Sequence, residues 1–247
     1  MDEVGLLLGA LGLAVGGILK GATGAGAPLL AVPILAVLYD VPFAVAVLTF
    51  PSLFSNAWQS WRFRAFQEDK VFVWVFALAA AAGAGLGSVL LVALPANLLL
   101  ATMGGALLLY IAFRLARPTW VLGERVAKRL VAPAGFVGGV MQGAAGLSAP
   151  ISLTFLTAMR LDRRRFIATI SVFFAMMSVV QIPALVAVGV MTWERMGLSL
   201  LACVPMFGAM PVGAWLGRRI SRETFDRLML VILALIAVRL LAEAVIA

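Results

Sequence analysis

The sequence predicts an all-α polytopic membrane protein built as two inverted-topology repeats, each a glycine-broken helical hairpin plus three transmembrane helices, with both termini outside. Three observations carry this. Of 247 residues, 64% are hydrophobic and 12% charged, and the mean hydropathy is +1.10. A water-soluble domain cannot hide that much apolar surface. Two stretches 122 residues apart are near copies: Val15-Gly-Gly-Ile-Leu-Lys20-Gly-Ala-Thr-Gly-Ala-Gly-Ala-Pro28 and Val137-Gly-Gly-Val-Met-Gln142-Gly-Ala-Ala-Gly-Leu-Ser-Ala-Pro150, identical at eight of fourteen positions. Sixteen of the 19 Lys and Arg lie in four short segments, Arg62–Lys70, Arg114–Arg129, Arg160–Arg165 and Arg218–Arg227, between apolar spans.

Charges and turns place the elements in order. Residues 4–38 form an apolar block broken at Gly21 to Gly26, followed by helices over 43–61, 71–93 and 97–115. These make the first repeat, residues 1–116, and a cytoplasmic linker follows at 117–129. The second repeat, 130–247, has a broken block at 130–158 and helices over 166–189, 195–217 and 223–245. Crossing a bilayer of about 30 Å takes roughly 20 helical residues. Cationic loops stay in the cytoplasm, which leaves residues 94–97 and 190–195 outside with Arg195 as their only cation. The first broken block then starts and ends outside, the second inside. Each must enter and leave on one face. Three further crossings per half are odd in number, so the second half is upside down relative to the first.

The same features exclude other classes. Period-2 alternation is absent, which rules out a β-barrel. The net charge of +8 sits in loops, so it marks topology and no nucleic-acid footprint. A single Cys203 and the absence of His leave no disulfide framework, no Cys or His metal site and no imidazole chemistry; no cofactor is expected. The first cation is Lys20, so no basic n-region of a cleavable signal peptide is present. Trp58, Trp61, Trp74, Trp120 and Trp193 fall near span ends, as interfacial anchors do. Asp40 and Asp162, matched at the 122-residue offset, are expected helix caps. Gly83 with Gly87, and Gly213 with Gly217, have the spacing of close helix packing.

The motif Lys20-Gly-Ala-Thr-Gly-Ala-Gly-Ala-Pro-Leu-Leu-Ala-Val-Pro33 and its counterpart Gly143-Ala-Ala-Gly-Leu-Ser-Ala-Pro150 resemble the paired glycine-rich signatures of the sulfite exporter TauE/SafE family of bacterial permeases. The order of spans fits along nearly the whole chain. The resemblance implies a secondary transporter in the inner membrane, with small sulfur-containing anions such as sulfite or organosulfonates as cargo, and no enzyme.

The residues suggest how an anion would be held. Glycine-broken helices in corresponding halves are the best sequence pointer to a transporter's site. Pro28 and Pro150 suit the first turn of a new helix. The N–H groups of Gly24 to Ala27 and of Gly146 to Ala149 would then face out of a helix N-terminus, which carries about half a positive charge and attracts anions. Hairpins entering from opposite faces would bring both ends together near the midplane. The expected substrate-binding residues are Lys20, Gly21, Thr23, Gly24, Gly26, Thr49 and Asn56 from the first half, with Gln142, Gly143, Gly146, Ser148, Ser171 and Gln181 from the second. Lys20 is the counter-charge, and Gln142 its neutral mate. Thr49 pairs with Ser171 at the 122-residue offset, and Gln59 with Gln181. Thr49 and Asn56, seven apart, share a helix face, as do Ser171 and Ser178.

No carboxylate falls mid-membrane, so efflux driven by the membrane potential is expected. An anion channel, an uptake permease for a different organic anion and a non-transporting subunit of a membrane complex are the rival readings. The expected partners are a small inorganic or organic anion of the sulfite or sulfonate class and the lipid bilayer, with no nucleic acid and with a homo-oligomer left open.

Overall fold

The computed structural model describes residues 3–116 and 120–246. Residues 117–119, within the predicted linker, lie outside the described residues. The described chain is helical, with no strand: α1 (Glu3–Thr23), α2 (Ala27–Leu38), α3 (Val41–Arg62), α4 (Lys70–Ala93), α5 (Ala96–Ala116), α6 (Glu124–Ala145), α7 (Ala149–Ala158), α8 (Arg163–Ala187), α9 (Trp193–Leu201), α10 (Cys203–Arg219) and α11 (Arg222–Ile246), with a 3₁₀ turn at Arg64–Phe66. Seven spans are long and apolar enough to cross a membrane, α9 and α10 counting together as one. The predicted spans correspond to these helices with ends shifted by a few residues.

Two boundaries differ for local reasons. α6 starts at Glu124, inside the predicted linker, where Ala127 and Val131 are buried in the cluster around Phe72 and Phe76 and Glu124 pairs with Lys128 one turn on, at 2.8 Å. The single helix predicted at 195–217 is two, parted at Ala202. Pro205 explains this: its ring has no N–H and crowds the carbonyl four residues back, that of Leu201.

Helix starts are written in side chains. Asp40 Oδ1 accepts from Phe43 N at 2.5 Å, Asp69 Oδ1 from Phe72 N at 3.0 Å, and Asp162 Oδ1 from Arg164 N at 2.9 Å and Arg165 N at 3.2 Å. Such caps are worth about 1 kcal/mol each. Asp162→Ala should therefore lower stability by about 1 kcal/mol, read as a lower melting temperature of the purified protein.

Proline in α3 is handled differently. Pro51 donates no hydrogen bond and displaces the carbonyl of Val47, four residues back. Ser199 Oγ from α9 donates to that Val47 carbonyl at 2.8 Å and accepts from Phe50 N at 3.2 Å. A hydroxyl from a neighbouring helix thus closes a gap that neither lipid nor α3 could fill.

The helices pair across the two halves of the chain. α1 packs on α10, α4 on α6, α3 on α8 and α5 on α11. Small residues make the first two pairs close. A Cβ at Gly17 would collide with the carbonyl of Met206, one at Gly21 with that of Met210, and one at Gly213 with that of Ile18. On the other side, a Cβ at Gly139 would collide with the carbonyl of Ala80, one at Gly143 with that of Ala84, and one at Gly87 with that of Val140. The second trio maps onto the first with a shift of 122 residues in the α1/α6 pair and 126 in the α4/α10 pair. Backbone-to-backbone approach of this kind needs glycine and gives membrane helices their dispersion contact.

Candidate functional site

α3 and α8 form the polar centre. Ser171 Oγ, the ninth residue of α8, donates to Gln59 Oε1 near the end of α3 at 3.4 Å, while Gln181, late in α8, and Val45, early in α3, both meet the Gln142–Gly146 segment, so the two helices run antiparallel. Thr49, Ser52, Ser55, Asn56 and Gln59 of α3 are buried, as are Thr169, Ser171, Ser178 and Gln181 of α8.

Lys20 lies in the last turn of α1 and is only 2% exposed. Its Nζ donates to Asn56 Oδ1 at 2.7 Å. Asn56 is aimed by its own amide, which donates to Ser52 O at 2.8 Å and to Ser52 Oγ at 3.2 Å. No ion pair to Lys20 is found among the described residues. The equivalent place in the second half is neutral: Gln142 Oε1 accepts from Ser148 N at 3.3 Å, and the Gln142 carbonyl accepts from Gln181 Nε2 at 3.3 Å. Gln181 is ten residues along α8 from Ser171, about 15 Å, and Asn56 is three residues back along α3 from Gln59, so the two groups stand about 10 Å apart along the bundle. Ser52 and Ser178 occupy the stretch between, and Thr49 is level with Gln181. Thr49 Oγ1 bonds the Val45 carbonyl at 2.7 Å, and Ser178 Oγ the Phe174 carbonyl at 3.0 Å.

The two glycine-rich breaks do not meet. Gly24 (φ +84°) lies against Ile167, the fifth residue of α8, whereas Gly146 (φ +67°) lies against Val32 of α2 and Val45, the fifth residue of α3. Val32 is the sixth residue of α2, so Gly146 sits about 9 Å of helix past Gly26, and Gly26 in turn faces Leu153, the fifth residue of α7; the two breaks are offset along the bundle and pass each other. The cause is length. α1 and α6 hold 21 and 22 residues, about 32 Å of helix at 1.5 Å per residue, so each leg runs past the centre before it breaks. The expected convergence of two helix N-termini at the midplane is corrected accordingly.

Most of the expected backbone donors are spent inside the breaks. Gly24 N donates to Lys20 O at 2.7 Å, and Gly146 N to Gln142 O at 2.8 Å. Leu147 N donates to the Met141 carbonyl at 3.4 Å, and Ala25 N to Thr23 Oγ1 at 3.2 Å. The Thr23 hydroxyl in turn donates to the carbonyls of Leu19 and Ala25, which ties up the loop. Gly26 (φ +86°) starts α2 in the left-handed region that glycine adopts without strain. Ser148 precedes α7, and Ser152 Oγ donates to its carbonyl at 3.0 Å. The faces of Gly21 and Gly143 are taken up by α10 and α4. Of the expected site residues, the structure therefore groups Lys20 with Asn56, and Gln142 with Ser148 and Gln181, with Thr49 and Ser171 on the connecting face.

Three contributors were not singled out from sequence. Ser52 was readable, one turn before Asn56 on the same face. Ser152 stands one turn after Ser148 in the same way. Ser199 leaves no local trace, because its partners are 149 and 152 residues away.

A cavity of about 270 Å³ opens at the Arg163 end of α8, with Thr169 and Phe72 among its lining residues. Ion pairs rim it: Lys128 with Asp69 at 3.2 Å, and Arg165 with Glu68. The Phe72 N–H, and then Lys128, hold the Asp69 carboxyl below its usual range.

One comparison with known proteins gives a match: the family model described as Sulfite exporter TauE/SafE fits residues 8–240. No curated protein and no solved structure matches the chain.

Proposed function

The chain belongs to the sulfite exporter TauE/SafE family, a family of membrane permeases, and from that premise we propose that it exports a small sulfur-containing anion, sulfite or an organosulfonate, along the polar face between α3 and α8. One observation carries this reading. Lys20 is a buried cation whose only hydrogen-bond partner among the described residues is a neutral amide oxygen. An ammonium ion within a membrane protein is expensive without a counter-charge. A sulfite or sulfonate oxygen supplies that charge. Asn56 and, through it, Ser52 stand beside the ammonium, and Gln142 and Gln181 form the next station about 10 Å along.

The two halves are read as inverted repeats. Support comes from the repeated glycine contacts, which relate α1 on α10 to α6 on α4, and from the antiparallel α3–α8 pair at the centre. The basic loops then face the cytoplasm. A lysine on one side and a glutamine on the other give the path a single charged station.

Export needs no coupling ion. An inside-negative potential of about 100 mV favours anion exit by about 2.3 kcal/mol per charge. In proteoliposomes loaded with sulfite, efflux should quicken when the interior is made negative and slow when it is made positive, with saturation and counterflow as expected of a carrier. Flux indifferent to the sign of the potential refutes potential-driven export, and flux that never saturates refutes the carrier.

A further inference from the structure

α11 carries two charges inside the span. Arg239 Nε bonds Glu243 Oε1 at 2.9 Å across one helical turn. Their depth follows from α5. A Cβ at Gly104 would meet both Leu241 and the carbonyl of Ala237, so Arg239, midway between those two, is level with Gly104. That glycine is the ninth of the 21 residues of α5, about 12 Å from the Ala96 end. Two residues of helix rotate the chain by roughly 200°, so Arg239 points away from α5. Leu233, Ala237 and Leu240 are buried on the packed side. On the far side the Arg239 side chain is 67% exposed. Arginine at such depth is costly in lipid and as a rule faces protein or a watery cavity.

The same outer face presents Leu228, Ile232, Leu235, Arg239 itself, Ala242 and Ile246, all exposed. Their spacing alternates between three and four residues, the seam along which two parallel helices interlock.

We propose that α11 is the contact between two copies of this chain, related by a two-fold axis along the membrane normal. A two-fold contact must be self-complementary, and an Arg–Glu pair is so by construction. Arg239 of each copy faces the partner's Glu243. Of its five N–H donors, only the one on Nε is engaged among the described residues, so the terminal nitrogens are available to the partner's carboxylate. Two pairs, each with its arginine exposed and its glutamate 24% exposed, become one four-charge network between proteins. The inference rests on α11 alone and stands or falls apart from the cargo.

The test uses full-length chains bearing two different tags, co-expressed and captured from mild detergent. Wild-type chains should co-purify at the mass of two copies. Arg239→Glu or Glu243→Arg alone should cut co-capture at least tenfold, since each then sets like charges against each other. Co-expressing the Arg239→Glu chain with the Glu243→Arg chain should restore it, because charge is then complementary only between unlike copies. Independently, Leu235→Cys in a Cys203→Ser background should form a disulfide-linked dimer in native membranes, whereas Leu11→Cys, on the exposed side of α1, should not. A wild-type chain at the mass of one copy with no Leu235→Cys cross-link overturns the proposal: the Arg–Glu pair then simply faces lipid. So does self-association untouched by either reversal, or a mixed pair that fails to recover.

Discussion

Lys20→Met is expected to weaken anion binding and flux by ten- to a hundredfold while leaving the fold intact. A hydrogen bond to a charged group is worth about 1.5–3 kcal/mol, which is that range in affinity. The stability side is separable. Removing the ammonium relieves a desolvation penalty of several kcal/mol, whereas orphaning Asn56 Oδ1 costs about 1–3 kcal/mol. The first is at least as large as the second, so the variant should melt no lower than wild type. Weaker binding together with undiminished stability is the signature of a charge kept for cargo. Measured on purified protein, sulfite-dependent shifts in melting temperature should shrink or vanish, and Lys20→Arg should recover part of the effect. Full flux from Lys20→Met would remove Lys20 from the mechanism.

Gly139→Ala and Gly213→Ala should each destabilise the protein by about 1–3 kcal/mol, the usual cost of forcing one extra carbon into a packed contact. The obstacle in each is a backbone carbonyl, of Ala80 and of Ile18, which cannot swing aside as a side chain would. The helices must part along their length. Gly208→Ala is the control, because a Cβ there meets nothing within 4 Å, and the gain in helix propensity should leave it as stable as wild type or more so. Equal melting temperatures for Gly139→Ala and Gly208→Ala would disprove the packing account.

These two predictions also mark what was legible in the sequence. The crossings, the duplicated motif and the weight of Lys20 were visible because hydropathy, repetition and a lone buried charge are local signals. The capping roles of Asp40 and Asp162 were visible for the same reason. The level of the breaks was not. Gly21 read as the first residue of the break, yet α1 runs through it and ends at Thr23, since a neighbouring helix occupies the space that the missing side chain leaves. The partners of Lys20 and Gln142 were half visible. Thr49, Asn56, Ser171 and Gln181 fell on the right helices, but only the tertiary contacts show Asn56 under Lys20 and Gln181 under the Gln142 carbonyl. Ser199, whose hydroxyl mends α3, stayed hidden because nothing within its own helix calls for it.

The cross-half packing sets a timetable for biogenesis. Gly17 finds the carbonyl of Met206, 189 residues downstream. A ribosome adding about 5–20 residues per second takes roughly 10–40 s to cover that distance. Throughout that interval the glycine groove of α1 is already in the bilayer with nothing but lipid to fill it. α4, by contrast, receives α6 only tens of residues later. The joint that waits longest is therefore the one next to Lys20, and until α10 arrives the nascent chain holds its most costly charge in its least finished wall.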